Sequence, residues 1–206
     1  MTVAQYAAQH EEIPYMIVGV RFYNVRNLSL RGFTIGPMCS WPLHIERVQN
    51  VRISDCTVAQ DGREPSQEFI HVHGPAERVV IDNIVGTCSD DFCALDTISP
   101  LSGMIDIADR EELVAGKLPK DVRSANAGPI HGVVISNVVI RNTWCTGLLR
   151  FLPARGYPID GVHVSNIQML ETHGRSEAHA VLKFGSTDSG NLASEYCIPE
   201  DMANIT

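Results

Sequence analysis

The sequence predicts an all-β chain, a right-handed parallel β-helix with coils of about 23 to 29 residues. Three observations predict it: one phrase recurs along the chain, apolar residues alternate inside each copy, and each copy breaks at the same kind of residue. The phrase is Val51-Arg-Ile-Ser-Asp-Cys-Thr-Val, then Val79-Val-Ile-Asp-Asn-Ile-Val, Val133-Val-Ile-Ser-Asn-Val-Val-Ile and Val162-His-Val-Ser-Asn-Ile-Gln-Met, with a degenerate first copy at Leu28-Ser-Leu-Arg-Gly-Phe-Thr-Ile.

The copies start at 28, 51, 79, 133 and 162, so their separations are 23, 28, 54 and 29, and 54 reads as close to two periods. In each copy the first and third residues are apolar, the alternation of a strand with one buried face. Asp55, Asn83, Asn137 and Asn166, with Gly32 in the degenerate copy, then interrupt it. These residue types tolerate a left-handed backbone, so two short strands meet there at a corner and stacked coils bring the corners into a ladder.

A second strand precedes each copy by some ten residues: Leu43-His-Ile, Phe69-Ile-His-Val, Phe92-Cys-Ala-Leu, Leu148-Leu-Arg-Phe and Val181-Leu-Lys-Phe. Each coil therefore carries at least two strand ledges. Residues 97–130 fit no coil; Pro100, Gly103, Gly116, Pro119 and Gly128 mark them as an inserted excursion of the kind that covers or shapes a site. A helical reading fails because Val, Ile and Thr crowd the repeats without a 3.6-residue stripe. A propeller or sandwich would need Asn-Gly or Asp-Gly hairpin tips, which the repeats lack.

The whole of 1–206 reads as one domain, expected to be part of a longer helix. Of its 206 residues 44% are hydrophobic and 19% charged, which supports one continuous core. The net charge of -8 argues against nucleic acid and anionic membrane surfaces as partners. No apolar stretch approaches the roughly 18 residues needed to span a bilayer, and the opening residues carry no basic segment followed by an apolar core, so neither an anchor nor a signal peptide is expected. The six cysteines, Cys39, Cys56, Cys88, Cys93, Cys145 and Cys197, have no CxxC spacing and read mostly as small buried hydrophobes rather than zinc ligands or disulfides.

The chemistry concentrates on the earlier ledge. With Ile70 and Val72 inward, His71 and His73 face outward beside Glu68, as substrate contacts or as a surface row. Cys93 and Leu95 are the equivalents of Ile70 and Val72 one coil on, so Glu68 aligns with Asp91, next to Asp90. Strands lie about 4.8 Å apart, which brings three carboxylates together and should raise at least one pKa. A protonated acid beside an ionised base is what acid/base cleavage of a glycosidic bond requires.

Several blocks carry a resemblance in order and spacing: Pro14-Tyr-Met-Ile, Trp41-Pro-Leu-His, Pro65-Ser-Gln-Glu-Phe-Ile-His-Val-His-Gly-Pro and Ser89-Asp-Asp-Phe-Cys-Ala-Leu. From about residue 13 to 185 the chain resembles the polygalacturonase family of glycoside hydrolases (family twenty-eight), within the pectate-lyase-like β-helix superfamily. The resemblance implies a usually secreted inverting hydrolase of a pectin-like or other uronic-acid polysaccharide that needs no cofactor or metal. It implies Asp90 as general acid, Glu68 and Asp91 as holders of the attacking water, and Lys183 as the Lys of an Arg-x-Lys motif that binds the substrate carboxylate. The chain departs from the pattern in places: Ser66-Gln-Glu-Phe stands for Asn-x-Asp-Gly, Cys145-Thr-Gly for Gly-His-Gly, and Val181 for the Arg before Lys183.

Arg150 is expected to compensate by pairing with a carboxylate if it points outward. His179 is a weaker candidate, and Trp41 and Phe69 are candidates for stacking on sugar rings. Two other readings stay open: a non-catalytic carbohydrate-binding or structural β-helix, and a lyase or epimerase using calcium with Lys183 as base.

Overall fold

Alternating apolar residues and left-handed corner residues make this chain a stack of parallel strands. The computed structural model describes residues 18–38, 41–62, 67–97, 128–142, 147–153, 156–170, 180–184 and 202–206. Within them run β1 (Val20–Tyr23), β2 (Arg26–Arg31), β3 (Thr34–Ile35), β4 (Leu43–Ala59), β5 (Ile70–Cys88), β6 (Cys93–Asp96), β7 (Ile130–Asn142), β8 (Gly147–Leu152), β9 (Ile159–Leu170), β10 (Ala180–Phe184) and β11 (Met202–Ile205). All eleven join one curled sheet, and the pairings are parallel, as between β4 and β5, β5 and β7, and β7 and β9.

The sequence repeats are the register. Leu28 pairs with Val51, Val51 with Val79, Val79 with Val133 and Val133 with Val162. One expectation is corrected here: the 54-residue separation is a single step of the stack, since Val79 and Val133 are direct neighbours. The earlier ledge explains why. It climbs from Val20 through Leu43, Ile70, Cys93 and Leu149 to Leu182. The excursion thus leaves after β6 and returns before β7, inside one coil. The excursion itself lies outside the described residues except at its ends, where the Gly128 amide donates to the Thr97 carbonyl at 2.9 Å.

The predicted corners are left-handed, with φ of 69° at Gly32, 58° at Asp55, 54° at Asn83, 55° at Asn137 and 52° at Asn166. Their amides form the ladder: Asn83 donates to Asp55 at 2.7 Å and Asn166 to Asn137 at 2.6 Å. A second left-handed line, unforeseen in the sequence, runs five residues earlier through Asn27, Asn50, Arg78, Gly132 and Gly161. These paired bends let β4 and β5 turn corners without leaving the ladder of backbone hydrogen bonds.

Inside the curl, Leu43, Ile45, Ile70, Val72, Cys93, Leu95, Leu149 and Phe151 from the earlier ledge meet Val51, Ile53, Val79, Ile81, Val133 and Ile135 from the later one. Burial of this apolar surface, at about 25 cal/mol per Å² removed from water, is the main stabilising term. Cys56, Cys88 and Cys93 are free and buried, as expected for cysteines acting as small hydrophobes. Among the described residues no helix is long and apolar enough to cross a membrane.

Candidate functional site

The site is built on the outward face of the earlier ledge and on the segment entering each of its strands. Phe69 and Phe92, fully buried, stack inward with ring centroids 5.3 Å apart and planes 12° from parallel. The amides of Phe69 and Ile70 both donate to the Phe92 carbonyl, and the Phe92 amide donates to Leu148 at 2.7 Å. With the two phenylalanines turned into the core, the preceding residues Glu68 and Asp91 come together on neighbouring rungs. Phe69 is therefore a core residue, not a sugar platform.

Oxygens of Glu68, Asp90 and Asp91 lie within 4.8 Å of one another, the convergence the sequence predicts. Glu68 and Asp91 are buried, and Asp90 is the most accessible of the three. The Asp90 carboxylate accepts from the Asp91 amide at 2.9 Å, which pins the pair. Arg150 does point outward beside them, its Nη1 3.5 Å from Asp91 Oδ2. Burial pushes the Glu68 carboxyl well above its ordinary range, and the charges of Asp90 and Asp91 push the same way; Arg150 and a hydrogen bond from Trp41 oppose them.

Two outward rows flank the carboxylates. Register places Arg21, His44, His71, Ala94, Arg150 and Lys183 in one row and Tyr23, Glu46, His73, Asp96 and Leu152 in the next. His71 and His73 occupy the predicted face, but a surface row is not what forms: His71 is 6% and His73 0% exposed. Trp41 lies across them, its ring centroid 3.6 Å from that of His71 and 5.5 Å from that of His73. At 3% exposure Trp41 is itself a lid on the histidines rather than a stacking surface for sugar.

Beneath it the polar groups pair among themselves. His71 Nε2 is 2.7 Å from Glu68 Oε2, His44 Nε2 is 2.5 Å from His73 Nδ1, and His73 Nε2 is 3.5 Å from Asp96 Oδ2. Arg21 forms an ion pair with Glu46. Burial, with His73 and Arg21 nearby, lowers the His44 pKa to about 2, and burial with His73, His44 and Arg150 holds His71 well below its usual value. Both imidazoles are accordingly neutral at pH 7.

Lys183 is placed by its backbone alone, opposite Arg150. Thr146 and His179 lie outside the described residues. Arg21, His44, Glu46 and Asp96 are members of the cluster that sequence reasoning missed. The signal was present: Leu43-His-Ile-Glu alternates in phase with Ile70-His-Val-His one rung above. Compared with protein-family models, curated proteins and solved structures, the chain matches none.

Proposed function

We propose that the curled sheet is a right-handed parallel β-helix and that its earlier ledge carries the acid/base site of a glycoside hydrolase acting on a pectin-like or other uronic-acid polysaccharide. The observation that carries this reading is the meeting of Glu68, Asp90 and Asp91 oxygens within 4.8 Å, in unequal surroundings and next to a guanidinium. Asp90, the most accessible carboxyl, protonates the leaving oxygen. Glu68 and Asp91 hold the attacking water between them, and the reaction inverts the anomeric centre.

The oxygens stand closer than the about 6.5–9.5 Å usual for carboxyl groups flanking a sugar ring in inverting enzymes. The reading accordingly keeps water on the Glu68 and Asp91 side and the sugar against Asp90. Arg150, with Lys183 opposite it in register, supplies positive charge for a substrate carboxylate.

The burial of Glu68 and Asp91 favours a second reading, a binding or structural β-helix in which the cluster no longer turns over substrate. Three carboxylate oxygens so close also suit a cation, as a lyase or epimerase would use, although Arg150 opposes one. Asp90→Asn separates these. A general acid contributes about 10²–10⁴-fold, so the hydrolase reading expects a loss of that order in kcat with polysaccharide binding retained. Unchanged turnover in the variant would remove Asp90 from the mechanism.

A further inference from the structure

Glu68 is one methylene longer than an aspartate and so has one more rotatable bond to fix before it can hold a water in one place. The contacts that fix it come from His71, three residues on along the same strand. His71 Nε2 lies 2.7 Å from Glu68 Oε2, and the imidazole has no room to swing. Trp41 covers one face at 3.6 Å, and His73 meets it edge to face at 5.2 Å with the rings 90° apart. The imidazole is 6% exposed, which leaves it little area to offer a substrate.

We propose that His71, held under Trp41, is a positioning residue for Glu68: it presents its Nε2 proton to the carboxylate and fixes the orientation in which that carboxylate holds water. The inference rests on the hydrolase reading above and deepens it. A neutral imidazole can do this while adding no charge to a crowded site. The groups facing it are His44 and Glu46 from β4, His73 from its own strand, Asp96 from β6, Asp90 and Asp91 from the segment before β6, and Arg150 from β8. Among these, the neighbouring His44 and His73 and the Arg150 guanidinium all disfavour a proton on Nδ1. Trp41, which also hydrogen-bonds Glu68, closes the clamp from above.

The test compares His71→Gln, which keeps an N–H donor, with His71→Phe, which keeps a ring and loses the donor. Two readouts are taken: steady-state kinetics on the polysaccharide, and the titration of the Glu68 side-chain carboxyl followed by carbon-13 resonance. A donor to a carboxylate favours its charged form, so His71→Phe should move the Glu68 titration and the acid limb of kcat/KM to higher pH. A misplaced reacting group costs up to about a hundredfold, so kcat should fall about ten- to a hundredfold with KM within about twofold. His71→Gln should recover most of both.

If the Phe variant does not fold, His71→Asn, whose amide is too short to reach Glu68, takes its place in the comparison. Equal losses in the donor and donor-less variants with an unmoved carboxyl titration would overturn the clamp and leave His71 a packing residue. A moved titration in a wild type that cleaves nothing would instead keep the clamp and sink the hydrolase reading.

Discussion

Arg150 Nη1 stands 3.5 Å from Asp91 Oδ2, and the contact exists because Arg150 lies in register with Ala94, three residues past Asp91 on the neighbouring rung. The guanidinium is the one cation whose field draws the Glu68 carboxyl back toward its ordinary range, against burial and two neighbouring acids. Replacing it with a neutral side chain of similar length should therefore let Glu68 titrate at still higher pH.

For Arg150→Met we expect the acid limb of the kcat/KM profile to shift upward. We also expect an additional loss of about ten- to a hundredfold on a uronate polymer, the size usual for one charge-assisted hydrogen bond. A profile that coincides with the wild type, on uronic and neutral polymers alike, would mean that Arg150 touches neither the carboxylates nor the substrate.

Stability should depend on pH in two opposed ways. His44 and His71 have folded pKa values depressed below the 6.5 of an exposed histidine. Below that pH the unfolded chain binds protons that the folded chain refuses, so stability falls as the pH drops through 6.5, by up to about 1.4 kcal/mol per unit for each histidine. Glu68 is the reverse: its folded pKa is raised above 4.5, so the folded chain keeps a proton that the unfolded chain loses, and stability declines as pH rises past 4.5. Urea unfolding of Glu68→Gln should thus show a stabilised protein at pH 7 and above, by about 1–3 kcal/mol for relief of a poorly satisfied buried charge, with the gain vanishing near pH 4. A gain that does not vary with pH would contradict the assignment.

The corner ladder is tested at Asn137, which has a φ of 55°, donates to Asp82 at 2.8 Å and accepts from Asn166 at 2.6 Å. Asn137→Gly loses both hydrogen bonds but keeps the left-handed backbone at no steric cost. Asn137→Val loses the bonds and adds about 1–2 kcal/mol of left-handed strain. In thermal unfolding the Val variant should therefore melt below the Gly variant, and the reverse order would show that the corner relaxes rather than demanding its residue type.

The ledges and the first corner line were legible because their residue types repeat: Val or Leu inward, Asn or Asp at the bend. The second corner line was not, because Asn27, Asn50, Arg78, Gly132 and Gly161 share a backbone conformation without sharing a residue type. Arg78 is held there partly by its hydrogen bond to Asn50 at 2.5 Å. The 54-residue step also misled, since counting along the chain cannot tell two coils from one coil bearing an excursion. Glu68, Asp90 and Asp91 could be aligned because strand register is arithmetic once one inward residue is chosen. The burial of His71 and His73 could not be read that way, because Trp41 reaches them from the segment before β4, off the repeat.

The most direct test of the central claim is product analysis on a panel of uronic and neutral polysaccharides, following new reducing ends and ultraviolet absorbance together. Hydrolysis at the Glu68, Asp90 and Asp91 site predicts reducing ends on a uronic polymer without absorbance, and their disappearance in Asp90→Asn. Absorbance rising with the reducing ends would contradict hydrolysis in favour of elimination. A polymer that binds yet yields neither signal would contradict an enzyme and leave a binding surface.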